Sequence, residues 1–176
     1  MLTVYTIGHS TRTADEFVGL LHDYGVTQLV DIRTVPRSRH NPQFGRETLP
    51  ETLAAAGIHY VYLAALGGLR HTEAGDLNAG WRNASFRSYA NYMQTPEFAA
   101  GMDELVDLAG ARRTAIMCAE AVPWRCHRSL VGDALLVRDV QVRDIMSPTR
   151  APEHTMTSFA HVTGTTITYP PTPDPA

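Results

Sequence analysis

Apolar positions cluster into five short runs with strand character, at 2–7, 28–32, 60–63, 114–117 and 140–145. The runs at 2–7, 28–32 and 114–117 are nearly continuous and rich in β-branched residues, as in strands buried on both faces of a sheet. Between the runs the period lengthens to that of helices. Thr13-Ala14-Asp15-Glu16 reads as a capping box, followed by Phe17, Leu20, Leu21 and Tyr24 at helical spacing and closed by Gly25. A second helix is predicted over 47–56, closed by Gly57. Thr95-Pro96-Glu97 supplies a cap, a proline at the first helical position and an acid in the first turn, starting a helix that runs to about Ala109. Weaker patterns predict helices over 86–93 and from Cys126 to Val137.

Strands alternating with helices imply an α/β fold: a single compact three-layer domain with a mainly parallel sheet of about five strands. We expect this domain to span residues 1–146. The Pro-rich extension 147–176 lacks periodicity and is expected to pack on the surface, its end disordered beyond Pro171. Residues 71–83 form a polar, glycine-containing stretch in the long connection between the third and fourth strands, a candidate lid or substrate loop.

With 176 residues, 44% apolar and 19% charged, the chain can bury a core, which excludes a disordered, charge-rich polymer. The net charge of −3 disfavours a globally basic nucleic-acid binder but leaves room for a local basic patch. All 15 basic residues are arginine. The absence of lysine rules out Schiff-base catalysis and a lysine-bearing phosphate loop, so anion recognition falls to arginine forks, backbone amides or histidine. Two cysteines cannot build a disulfide framework in a domain of this size. Met1 leads directly into a strand-like run, and no apolar segment approaches membrane-spanning length. The expectation is a cytoplasmic protein with no membrane association and both thiols reduced.

In an open parallel sheet, ligands bind beyond the carboxyl ends of the strands. The residues leaving those ends are Gly8-His9-Ser10, then Asp31-Ile32-Arg33 with Arg37, then Gly67-Gly68, then Cys118-Ala119-Glu120 followed by Cys126-His127-Arg128. Four strand ends thus deliver histidine, carboxylates, thiols, arginines and glycines to one rim. Cys126 to Arg128 is expected to open a helix at an exposed position, where unpaired amides and the helix dipole favour a thiolate or a bound anion. The loop after Cys118 resembles the phosphate cradles of rhodaneses and cysteine phosphatases, but those need arginine six residues after the cysteine, where this chain has Trp124. Blander readings stand beside these: Cys118 as a small buried hydrophobe, Asp31 as the ion-pair partner of Arg33, and Gly67-Gly68 as a plain tight turn.

Several blocks together carry a family resemblance: Thr6-Ile7-Gly8-His9-Ser10, Asp31-Ile32-Arg33 with Pro36-Arg37-Ser38, Leu66-Gly67-Gly68, Phe86-Arg87-Ser88-Tyr89-Ala90, and Met117-Cys118-Ala119-Glu120 with Pro123 and Cys126-His127-Arg128. In this order, over about residues 3 to 145, they resemble the family catalogued as domain of unknown function family 488. The resemblance implies a compact α/β fold and the same signature residues; it brings no settled activity.

Three functions follow as expectations. The first is an enzyme acting on a small anionic substrate, a nucleotide or another phosphate-bearing metabolite, through hydrolase- or transferase-like thiol chemistry. In it Cys118 or Cys126 is nucleophile or redox thiol, and His9, His127 or Glu120 moves protons. Ser10, Asp31, Arg33, Arg37, Gly67, Gly68 and Arg128 form the substrate site. The second is a zinc or iron centre on Cys118, Cys126, His127 and His9, although a helix would point the adjacent Cys126 and His127 in different directions. The third, disfavoured by net charge, is a nucleic-acid-binding module using the basic loop 33–46 and the aromatics Trp81, Phe86 and Trp124.

Overall fold

The computed structural model describes residues 1–172. Five parallel strands form the central sheet: β1 Thr3–Gly8, β2 Gln28–Asp31, β3 His59–Tyr62, β4 Thr114–Cys118 and β5 Gln141–Asp144, in the order β3-β2-β4-β1-β5. All five coincide with the apolar runs of the sequence. Five helices cover them: α1 Ala14–Asp23, α2 Leu49–Ala55, α3 Ala84–Tyr92, α4 Pro96–Ala111 and α5 Arg128–Leu136.

Alternation along the strands sorts the core into two layers. On one face, Tyr5, Ile7, Leu29, Ala115 and Met117 pack against Phe17, Leu20 and Leu21 of α1 and Leu49 and Leu53 of α2. On the other, Val4, Val30, Ile116 and Val142 pack against α3, α4 and α5 through Tyr89, Phe98, Met102, Leu105 and Leu130. The capping box at Thr13 and Glu16 is formed, and Thr95 caps α4 through its hydroxyl.

Strand order fixes where a ligand can enter. The central strand β4 leads to α5 on one face, whereas both its neighbours, β1 and β2, lead to α1 and α2 on the other. The connections diverge on either side of β4 and leave a crevice at its carboxyl end, at Cys118.

The tail differs from a purely superficial wrap. It adds a small hairpin, β6 His161–Thr163 and β7 Thr166–Thr168, turning at Gly164 with φ +62°. Ile167 and Tyr169 then enter the core, Tyr169 with no exposure at all. The expected disordered end falls largely on residues 173–176, outside the described residues. No helix among the described residues is long and apolar enough to cross a membrane.

Candidate functional site

A cleft of about 380 Å³ opens at the carboxyl ends of β1, β2 and β4. Of the residues expected at a site, it brings together His9, Arg33, Arg37, Gly68, Cys118, Glu120, Cys126 and His127. Ser10, Asp31, Gly67 and Arg128 do not line it. Ser10 takes φ +49° and acts through its backbone, its N–H donating to Ala119 O at 2.9 Å and its carbonyl accepting from His9. Gly67 packs beside Thr34 and Ala64.

The loops that shape the cleft are locked together at β1 and β4. His9 N donates to Cys118 O at 3.0 Å. The backbone at Glu120 crosses directly above Gly8, where an added Cβ would lie 1.7 Å from Glu120 O. Only glycine admits that crossing.

Asp31 and Arg33 form a buried pair at the end of β2. Arg33 Nε donates to Asp31 Oδ1 at 2.9 Å and Nη2 to Oδ2 at 2.8 Å, while Tyr60 Oη donates to Oδ2 at 2.6 Å. The Arg33 fork is therefore largely committed to Asp31, which acts as a strut rather than as a substrate contact. The remaining Nη1 of Arg33 faces His9 Nε2 at 3.4 Å. His9 Nδ1 lies 2.8 Å from Ser10 O, so Nδ1 carries the proton and Nε2 accepts from Arg33. Burial, reinforced by the Arg33 charge against the opposing Ser10 hydrogen bond, lowers the His9 pKa and keeps the ring neutral, stacked on Phe44.

The two cysteines lie together. Cys118 ends β4 at 2% exposure, and Cys126 is 6% exposed. The expectation of an exposed Cys126 at a helix start is corrected: residues 123–125 form a 3-10 turn that Cys126 closes, His127 caps the next helix, and α5 begins at Arg128. Pro123 starts that turn, and its apolar ring is buried with it. Because Cys126 and His127 precede the helix, they do not diverge; Cys126 Sγ lies 3.5 Å from His127 Nδ1. His127 Nε2 faces Ile32 O at 2.9 Å, which places the proton on Nε2 and leaves Nδ1 as an acceptor toward sulfur. Burial holds the His127 pKa down at about 4 against the pull of its backbone hydrogen bonds.

The two thiols are neighbours, but the hydrogen-bond contact of each sulfur is to another group: Cys118 Sγ to Glu120 O at 3.6 Å and Cys126 Sγ to His127 Nδ1 at 3.5 Å. At Cys118, burial acts to raise the pKa, but the neighbouring Cys126 thiol and the Arg128 charge outweigh it, and the net shift is downward. Cys126 is driven far upward, first by the neighbouring Cys118 and then by burial.

Behind the thiols lies Arg128, only 1% exposed. Its Nη2 donates to Ala121 O at 3.0 Å, yet Nε and Nη1 have no hydrogen-bond partner and no carboxylate pairs with it among the described residues. Its charge also helps depress Arg12, after burial, so a second cation stands nearby. A buried arginine without a paired carboxylate is costly, and its charge acts on both thiols.

The cleft wall adds Thr34, Ser38, Ser85, Phe86 and Arg125. Ser38 lies in one of the sequence blocks at the end of β2, whereas sequence reasoning missed Thr34 and Ser85; position just past a strand end is a signal available for Thr34, while Ser85 reaches the cleft only through the packing of α3. Residues 71–83, expected as a lid or substrate loop, do not line the cleft; Asn78 is buried and bonded to Asn91 and to the Tyr169 N–H. Of the aromatics considered for nucleic acid, only Trp124 is strongly exposed, while Trp81 packs against Phe86 and Phe159.

Among the described residues, no three His, Cys, Asp or Glu side chains converge to hold a metal ion. His127 and His9 each spend one ring nitrogen on a backbone carbonyl, and Arg33 and Arg128 place positive charge against the would-be ligands. The residues present fit an anion better than a zinc or iron ion.

Comparison with curated proteins and with solved structures gives no significant match. A family model described as "Domain of unknown function DUF488" matches residues 13–135, from the cap of α1 almost to the end of α5. The chain belongs to that family.

Proposed function

We propose that the cleft is the active site of a cysteine-dependent enzyme for a small anionic substrate, with Cys118 as the nucleophile. One observation carries this reading: a buried Arg128 with two unpartnered nitrogens and no carboxylate, its charge acting on a pair of thiols. An ionised Cys118 supplies the missing counter-charge, and the cysteine thiolate is the reactive form. Cys126 lies beside that sulfur, with its own S–H turned to His127 Nδ1. The exposed Arg37 and Arg125 supply free guanidinium forks at the mouth of the cleft, where Glu120 offers an exposed carboxylate for proton transfer. Hydrolysis and group transfer both proceed through such a covalent adduct.

The test compares alkylation by iodoacetate, an anion, with alkylation by neutral iodoacetamide, the modified residue being located by peptide mapping. Cys118 should react first, and its preference for iodoacetate should exceed that of free cysteine and drop in the Arg37→Ala, Arg125→Ala double variant. Alkylation of Cys126 first, or an iodoacetate preference no greater than that of free cysteine, overturns the reading.

A further inference from the structure

Cys126 is an expensive residue for a wall of this cleft: a second buried free thiol in the same wall as the first, with a histidine lone pair 3.5 Å from its sulfur. We propose that Cys118 and Cys126 form a dithiol–disulfide couple that exchanges with small anionic disulfides, Cys118 making the first bond and Cys126 resolving it. This rests on the reading of Cys118 as the nucleophile and names the substrate class and the role of its neighbour.

Cys118 and Cys126 both line the one cleft, so a single bound group can meet both. In the first step the Cys118 thiolate attacks one sulfur of the disulfide R–S–S–R. The Cys118–S bond forms, the substrate S–S bond breaks, and RS⁻ departs. Cys118 then carries no charge, and Arg128 has lost its counter-ion. Arg128 acts on both thiols and favours the ionised form of each. Its unpartnered Nε and Nη1 leave that charge available to compensate whichever sulfur is ionised. The Cys126 proton goes to the departing RS⁻, giving RSH, while His127 Nδ1 orients the S–H. In the second step Cys126 S⁻ attacks Cys118 Sγ, the mixed disulfide breaks, and a second RS⁻ leaves. In sum the two cysteines lose two electrons to become a disulfide, and R–S–S–R gains them to become two thiols.

Chemistry without a second thiol would not need this arrangement. A hydrolytic cysteine needs a base and a water; here both imidazoles of the cleft, on His9 and His127, have lowered pKa values and are tethered to carbonyls, and the neighbouring reactive group is another thiol. Arg37 and Arg125 at the mouth favour acidic R groups.

Oxidised glutathione is the probe, with cystamine, a cationic disulfide, as its control. After reduction and removal of reductant, the wild-type chain should end as a Cys118–Cys126 disulfide with no retained adduct by intact mass. Cys126→Ser and Cys126→Ala should each retain one glutathionyl group, mapped to Cys118. Relative to free cysteine, oxidised glutathione should be preferred over cystamine by about tenfold, the factor for roughly one good charge contact. A wild-type chain that keeps a stable adduct on Cys118 overturns the resolving role while leaving the nucleophile reading intact. An adduct on Cys126, or no reaction at all, overturns both. Equal or greater preference for cystamine overturns the anionic class. Should both Cys126 variants fail to fold, the wild-type time course decides: an adduct must precede the internal disulfide.

Discussion

Gly68 makes room for the imidazole of His127: a Cβ on Gly68 would lie 2.5 Å from Nδ1, the ring atom that faces Cys126. The ring cannot swing aside cheaply, because Nε2 is anchored on Ile32 O and one edge packs on Tyr89. The glycine after β3 is thus required by close approach, not by a positive φ. Gly68→Ala is expected to displace His127, lowering stability by roughly 1–3 kcal/mol, as for overpacked interiors, and lowering Cys126-dependent exchange more than Cys118 alkylation. Thermal melts and the oxidised glutathione assay check it; a Gly68→Ala protein with unchanged melting temperature and exchange rate contradicts it.

Arg128 helps to hold down the pKa of Cys118, after the neighbouring Cys126. In Arg128→Met the guanidinium is gone and burial acts on the thiol with less opposition, so the iodoacetamide midpoint of Cys118 should rise. Its alkylation rate at neutral pH should fall accordingly. Stability should hold or improve, since exchanging a buried, uncompensated charge for an apolar side chain of similar volume is often neutral or stabilising. An unmoved midpoint removes Arg128 from the reaction. A large loss of melting temperature makes it instead a strut for the loop at Ala121.

The sheet was legible because β1, β2 and β4 are buried on both faces, so their apolar runs are continuous and carry no competing helical period. The rim was legible for the same reason: once strand ends are located, His9, Arg33 and Cys118 follow from topology. Burial was not. Arg128 in a Cys-His-Arg triplet at an expected exposed helix start reads as a substrate-binding residue, and only the packing of α5 against the sheet buries it behind the thiols. The start of α5 was placed two residues early because Pro123 turns the chain into a 3-10 segment that Cys126 ends. The three-residue strands β6 and β7 are too short to show a period, so Tyr169 as a core residue had no sequence signal.

His127 makes stability depend on pH. Its folded pKa is about 4 and its ordinary value 6.5. Between these the unfolded chain binds a proton that the folded chain does not, so stability rises with pH through this window. The contribution is present in full above about 6.5, is lost progressively on acidification toward 4, and changes little below that. A shift of this size corresponds to roughly 3 kcal/mol at most. His127→Gln should melt with a flatter profile between pH 4 and 7 than the wild type. A difference between the two proteins that stays constant across this range contradicts the assignment.

Asp133 fastens the tail to the domain and, through it, one wall of the cleft. The carboxylate lies on α5, fully buried, and accepts from His154 Nε2 at 2.8 Å, Thr157 N at 3.1 Å, Thr157 Oγ1 at 2.6 Å and Tyr169 Oη at 2.8 Å. Tyr169 in turn accepts from Gly80 N and donates its own N–H to Asn78, and its ring sits beside Trp81, which packs on Phe86 at the cleft. Asp133→Ala strands these donors, of which Tyr169 Oη is fully enclosed, and a loss of about 3 kcal/mol or more is expected from unsatisfied buried groups in one network. Asp133→Asn keeps one acceptor oxygen and should fall between the two. The tail should become accessible first, so limited trypsin digestion of Asp133→Ala should cut at Arg150 before the sheet melts. Because the released segment also braces Phe86, the anion preference of Cys118 alkylation should weaken in the same variant. Intact protection at Arg150 together with an unchanged melting temperature would show that the aromatic packing of Tyr169, not the carboxylate, holds the tail.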